Sequence, residues 1–131
     1  MSVILQRDPG RPATVAELLA TLAPLRVLQP RPEEVGAYLE PYPELARILP
    51  AIASRIRTAF GEEAELSLEA YVDPEIDDHY LTLYVRQPAY QDDLMARLQD
   101  ISAAFEQELS NAGGWFLLTT DFRAPRSRHV I

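Results

Sequence analysis

Two alternating segments decide the fold: residues 64–72 read AELSLEAYV and residues 80–86 read YLTLYVR. In both, apolar side chains occupy every second position, and polar side chains or tyrosines occupy the positions between them. This period of two is typical of a strand that buries one face, so the segments predict a β-hairpin. The predicted buried face consists of Leu66, Leu68, Ala70, Val72, Leu81, Leu83 and Val85.

The sequence before this hairpin has the apolar spacing of three and four residues that indicates amphipathic helices. The first helix should begin at Thr14, because Thr14 and Glu17 form a capping-box pattern. Pro32 suits the first turn of a second helix, and a third helix should follow Pro43 and end at Gly61. Pro50 lies inside the third pattern and should kink or divide that helix.

After the hairpin, the pattern predicts a longer helix over roughly 90–110 and a last strand over 115–122. Residues 25–32 indicate a connector without regular structure, and residues 2–5 could add a short strand. The chain should divide into an irregular arm (1–13), one α+β domain (14–122) and a basic tail (123–131).

The predicted fold is α+β, with a three-stranded, mainly antiparallel sheet and helices on one face. The expected strand order is 3-1-2, which places the last strand beside the first strand of the hairpin. The alternative places the last strand parallel to the second strand of the hairpin, at the other edge of the sheet.

Composition excludes several classes of protein. The 131 residues contain no cysteine and no lysine, which removes disulfides, zinc–thiolate sites, thiol nucleophiles and catalytic lysines. No apolar stretch is long enough for a membrane span, and the N-terminus lacks the pattern of a secretory signal. We therefore expect a cytoplasmic protein that does not enter a membrane.

The charge of the chain points to a protein partner. Its net charge is −8, and residues 61–121 carry fourteen acids against Arg86 and Arg97. Such a surface repels nucleic-acid phosphates and attracts a basic protein or a divalent cation, although solubility alone is a sufficient reason for surface acids.

The turn of the hairpin is rich in carboxylates and is the first candidate for a metal site. Asp73, Glu75, Asp77 and Asp78 are oxygen ligands of the kind that Mg²⁺ and Ca²⁺ prefer, but their spacing is not that of an EF-hand loop. A solvated turn is the simpler explanation, because aspartate is favoured in turns.

A wider set of acids could converge if the last strand lay beside the first. Glu69, Asp73 and Asp121 would then approach one another and could hold a metal for phosphoryl transfer. The full candidate metal set is Glu69, Asp73, Asp77, Asp78 and Asp121. The chain lacks the Gly-Ser motif of a nucleotidyltransferase, which argues against that class.

The second face of the hairpin has the composition of a protein interface, which is enriched in tyrosine and arginine. A surface of this kind could also stack single-stranded bases, but the surrounding acids favour a protein partner. Tyrosine is also simply favoured in strands, so an ordinary exposed face stays an alternative. The predicted partner-binding residues are Tyr71, Tyr80, Tyr84, Arg86, Asp77 and Asp78.

Several short stretches carry a resemblance to a known group of proteins; they are residues 42–45, 64–68, 73–77 and 81–86. Over roughly residues 35–122 the chain is similar to small bacterial α+β proteins that have no assigned activity. Some of these are encoded in pairs, as toxins and antitoxins are. The resemblance implies a partner protein and transfers no catalytic residue.

The sequence thus favours a small, acidic, non-catalytic domain that neutralises or regulates a basic partner protein and uses no cofactor. One alternative is a Mg²⁺-dependent phosphoryl-transfer or nuclease-like enzyme that uses the carboxylate set. Another is a self-assembling structural protein, for instance a homodimer formed through an edge or a face of the sheet.

Overall fold

A computed structural model of the protein describes residues 14–73 and 78–125, and the side chains of residues 72, 73 and 78 are not described. The expectations for residues 1–13, for the turn at 74–77 and for the tail beyond 125 lie outside the described residues. In chain order, the described elements are α1 (Val15–Ala20), β1 (Val27–Leu28), α2 (Pro32–Leu39), α3 (Pro43–Phe60), β2 (Glu65–Asp73), β3 (Asp78–Arg86), α4 (Leu94–Ala104), α5 (Glu106–Ala112) and β4 (Phe116–Thr119).

The α+β class and the hairpin are confirmed, whereas the predicted three-stranded, mainly antiparallel sheet and its strand order are wrong. The described sheet has four strands in the order β1-β2-β3-β4. Strands β2 and β3 pair antiparallel, with Glu65 opposite Arg86 and Tyr71 opposite Tyr80. Strand β4 runs parallel to β3 at the far edge, which was the alternative arrangement for the last strand.

The arrangement of the edges follows from the connections. Helices α4 and α5 join β3 to β4, and a helical crossover of this length returns the chain parallel to the strand it left. The place beside β2 is taken by β1, which pairs parallel to it through Val27 and Leu28. The predicted connector at 25–32 therefore contains a strand, too short for a periodic pattern to reveal.

The helix boundaries follow the predicted capping signals. The Thr14 hydroxyl accepts a hydrogen bond from the Glu17 N–H, and the Glu17 carboxylate accepts one from the Thr14 N–H, so the capping box is confirmed. Pro32 lies at the start of α2, and Gly61 ends α3 with a φ of 83°. That φ is strained for any residue with a Cβ, which explains the glycine.

Of the two alternatives predicted at Pro50, a kink or a division, the structure excludes the division, and one other helix prediction needs correction. Helix α3 continues through Pro50 without a division, and the helix predicted over roughly 90–110 is divided at Phe105 into α4 and α5. Burial explains why α3 is continuous at Pro50, because Leu49 and Ile52, on either side of the proline, are buried in the core and hold the helix in place. At Phe105 the backbone leaves the helical region, with φ −108° and ψ 9°.

The core lies between the helices and one face of the sheet, as the alternation predicts. Leu66, Leu68, Leu81, Leu83 and Val85 are buried in one cluster with residues from the helices. The helical members with the lowest exposure are Val35, Leu39, Leu45, Ile56 and Leu98. No helix within the described ranges is long and apolar enough to cross a membrane.

Candidate functional site

The face of the sheet opposite the helices, called here the open face, holds the candidate residues. Strand register places its side chains in rows across β2, β3 and β4. One end of the open face is aromatic and the other end is ionic, with Thr82 between them. The aromatic end has exposed side chains that another molecule could contact, whereas the central side chains of the ionic end are buried.

The aromatic end is formed by Tyr71, Tyr80 and Trp115, called here the aromatic patch. The rings of Tyr71 and Tyr80 are stacked with centroids 4.8 Å apart, and those of Tyr80 and Trp115 are 5.0 Å apart. Tyr71 is 44% exposed and Trp115 is 48% exposed, although both are large and apolar. The Tyr71 and Tyr80 rings are stacked and the Trp115 ring is tilted against Tyr80, so the three rings form a contiguous aromatic surface from β2 across β3 to the residue before β4.

The backbone at Trp115 is fixed by Tyr38 of α2. The Tyr38 hydroxyl accepts a hydrogen bond from the Trp115 N–H at 2.8 Å and donates one to the Trp115 carbonyl at 3.2 Å. Just before it, Gly114 has a φ of 77°, which is strained for any residue with a Cβ, and a Cβ there would lie 3.3 Å from side-chain atoms of Leu45 and Tyr42. The position of the tryptophan is therefore set before any partner arrives.

Two clefts flank the aromatic patch. One of about 520 Å³ includes Tyr71, His79 and Tyr38 in its walls, and another of about 500 Å³ includes Trp115, Phe116 and Leu109. Patches in which exposed aromatic rings border concave surfaces are typical places for the anchoring side chains of a protein partner.

The ionic end is formed by Glu65, Glu69, Arg86 and Asp121, called here the arginine-centred cluster. Arg86 binds Glu65 at 2.8 Å and binds Asp121 in a bidentate manner at 2.9 and 3.1 Å. Its distance to the Glu69 carboxylate is 3.5 Å. The side chains of Arg86 and Glu65 are 2% and 1% exposed, so this is a buried ion network.

Burial and pairing act in opposite directions on these groups. Burial alone would lower the pKa of Arg86, but the hydrogen bonds that Arg86 donates to Asp121 and Glu65 outweigh it and raise that pKa. Burial would raise the pKa of Asp121, but hydrogen bonds with Arg86 and the Arg123 N–H lower it. Both groups therefore stay charged across the neutral range.

The structure separates the predicted partner-binding residues into three groups. Tyr71 and Tyr80 belong to the aromatic patch. The Tyr84 ring lies 5.2 Å from the Arg86 guanidinium, which is itself buried among carboxylates. The side chains of Asp77 and Asp78 lie outside the described residues.

Two members of the predicted metal set come together, but around an arginine. Glu69 and Asp121 both contact Arg86. Asp121 follows β4, which lies beside β3, whereas the predicted strand order had placed it beside the first strand of the hairpin. A cation there would have to compete with the guanidinium. Within the part of the chain that the structure describes, no three histidine or acidic side chains form a group that could hold a metal. The side chains of Asp73, Asp77 and Asp78 lie outside that part.

Thr82 lies between the two ends and carries a prediction about stability. Its side chain is buried, and its hydroxyl has no hydrogen-bond partner among the residues that the structure describes. A buried hydroxyl without a partner is destabilising, and valine has nearly the same shape. We expect Thr82→Val to raise the free energy of unfolding by about 1 kcal/mol, measured by urea unfolding.

Thr120 provides the matched control for this substitution. Its hydroxyl accepts a hydrogen bond from the Phe122 N–H at 3.0 Å and donates one to the Tyr90 hydroxyl at 3.4 Å. We expect Thr120→Val to lower the free energy of unfolding by about 1 kcal/mol. Destabilisation by both substitutions would contradict the assignment of Thr82.

Sequence reasoning missed two residues of the open face. Trp115 joins the aromatic patch only when β4 pairs with β3, and the predicted order placed the last strand elsewhere. Glu65 could have been found, because the simplest register of the hairpin puts it directly opposite Arg86.

Comparison with known proteins gives no relative for this chain. No protein-family model matches it, and neither the curated proteins nor the solved structures contain a match. The function is therefore argued from the geometry of the open face.

Proposed function

We propose that this protein is a non-catalytic interaction domain that binds a basic protein partner through the aromatic patch. The observation that carries the proposal is the contact of the Tyr71, Tyr80 and Trp115 rings in one patch, in which two rings are more than two-fifths exposed. Tyrosine and tryptophan bury a large area for little conformational entropy, and they dominate the energetics of protein interfaces.

The charge of the chain supports a basic partner. A net charge of −8 would speed the approach of a positively charged protein and disfavour acidic ones. Arg86 is already neutralised by carboxylates and contributes to the shape of the open face through its contact with Tyr84. The aromatic patch would then supply affinity, and the acidic surroundings would supply rate and selectivity. A cytoplasmic location and a neutralising or regulatory role are part of this proposal.

The test compares two exposed aromatic positions. We expect the tagged protein to retain one stoichiometric basic partner from host extract, and Trp115→Ala to weaken that complex at least about 30-fold in calorimetry, because a central aromatic anchor contributes 2 kcal/mol or more. Phe122→Ala is the matched control, since Phe122 is 61% exposed and packs on Tyr90, away from the patch.

Two results would reject the proposal. One is a complex that Trp115→Ala leaves intact while Phe122→Ala weakens it. The other is the absence of any stoichiometric partner. Thermal unfolding of both variants separates lost binding from lost folding.

A further inference from the structure

The two edges of the sheet differ in how they meet other chains. Strand β1 has two residues and is followed by Pro30, and short edges ending near a proline resist pairing. Strand β4 is longer, and no proline or charge interrupts residues 115–120. The β1 edge is therefore protected by its shortness and a nearby proline, whereas residues 115–120 carry neither a proline nor a charge that would protect the β4 edge.

The direction of the hydrogen bonds shows which groups of β4 point outward. The Leu81 N–H donates to the Trp115 carbonyl at 2.9 Å, and Leu81 is in register with Phe116. In a parallel pair, a residue such as Leu81 forms its N–H and C=O hydrogen bonds with the two residues on either side of its register partner. Leu117 is therefore turned toward β3, while the N–H and C=O groups of Phe116 and Leu118 point away from the sheet.

The occupant that best fits this edge is a second copy of the chain. Two copies with a net charge of −8 repel one another over most of their surface, but residues 115–120 carry no charge. A two-fold axis through the edge pairs β4 with itself in antiparallel orientation. Phe116 of one copy can then exchange both backbone hydrogen bonds with Leu118 of the other.

We infer that the protein forms a two-fold dimer through antiparallel pairing of β4 with β4, which creates one continuous sheet of twice the width. This inference does not depend on the proposed partner. It joins the two open faces on the same side of the sheet, so the dimer carries both aromatic patches on that side, at opposite ends of the antiparallel β4 pair. A basic partner with two copies of its binding surface would gain avidity from that arrangement.

The test uses the same substitution at both edges. Leu117 is in register with Thr82 and Leu28 with Ser67, so both leucines lie on the open face, one on β4 and one on β1. Wild type should have twice the mass of the 14.7 kDa chain in analytical ultracentrifugation. Leu117→Lys brings like charges together across the two-fold axis and should raise the dissociation constant about 100-fold or more. Leu28→Lys should leave the dimer unchanged.

Hydrogen exchange gives a second readout that needs no variant. The amides of Phe116 and Leu118 should be protected at high protein concentration and lose this protection on dilution, whereas those of β2 and β3 should not. A wild-type monomer at every concentration would overturn the inference. So would dissociation by Leu28→Lys alone, or exchange at Phe116 and Leu118 that is fast at all concentrations.

Discussion

Replacing Arg86 with methionine is expected to lower the free energy of unfolding by about 3–5 kcal/mol, because removing one partner of a buried ion network leaves buried charge uncompensated. Arg86 provides the 2.8 Å contact to Glu65, whose side chain is 1% exposed, and the bidentate contact to Asp121. Methionine keeps much of the volume and none of the charge. Urea unfolding followed by circular dichroism measures the loss.

Arg123 is the matched control for Arg86. It lies 3.6 Å from Asp121, but its side chain is 72% exposed. Exposed ion pairs contribute little, so Arg123→Met should change the free energy of unfolding by less than about 1 kcal/mol. Equal effects of the two substitutions would show that burial does not decide the role of Arg86.

The stability of the wild-type and Arg86→Met proteins should also respond differently to acid. The folded-state pKa of Asp121 is lowered below its ordinary value of 3.8. Its ionised form therefore adds stability above that value, and this stability is lost as the pH falls through the folded-state pKa. Without Arg86 the pKa of Asp121 is lowered less. The Arg86→Met protein should therefore lose a smaller part of its free energy of unfolding than wild type does when the pH falls from neutral to below the folded-state pKa of Asp121.

Replacing Pro50 with alanine is expected to raise the free energy of unfolding by about 2 kcal/mol. Proline in the interior of a helix costs about 3 kcal/mol relative to alanine, because it removes an N–H donor and crowds the preceding turn. Some of this gain is offset, because alanine leaves the unfolded chain more conformational freedom. Pro50 lies well inside the continuous helix α3, so both penalties apply there.

Pro43 is the natural control for this substitution, because it stands in the first turn of the same helix. Proline is tolerated in that turn, since its N–H would have no helical acceptor. Pro43→Ala should therefore change the free energy of unfolding by less than about 0.5 kcal/mol. No gain, or a loss, in the Pro50→Ala protein would mean that the packing of α3 requires the proline.

Local patterns predicted the parts of the fold that depend on neighbours in the chain. The alternation in the hairpin identified the buried face, because side chains of a strand point to opposite sides in turn. The capping box at Thr14 and the stop at Gly61 were predicted because caps act through residues within one turn. The division at Phe105 was missed, since the apolar spacing continues across it.

The candidate site was predicted in part for the same reason. Tyr71 and Tyr80 were recognised because both belong to the alternating hairpin. Trp115 was not placed beside them, because its neighbour on β3 depends on the strand order. The structure places Arg86, a predicted partner-binding residue, in a buried ion network that the hairpin pattern did not indicate.

By itself, the sequence determined the α+β class, the hairpin with its buried face, and the acidic character without cysteine or lysine. Only the tertiary structure decided the strand order, the aromatic patch and the burial of Arg86. The physical reason is the distance along the chain between interacting groups: Arg86 meets Glu65 and Asp121 from 21 and 35 positions away. Periodicity reports which face of an element is buried, and the packing of all elements decides what lies against it.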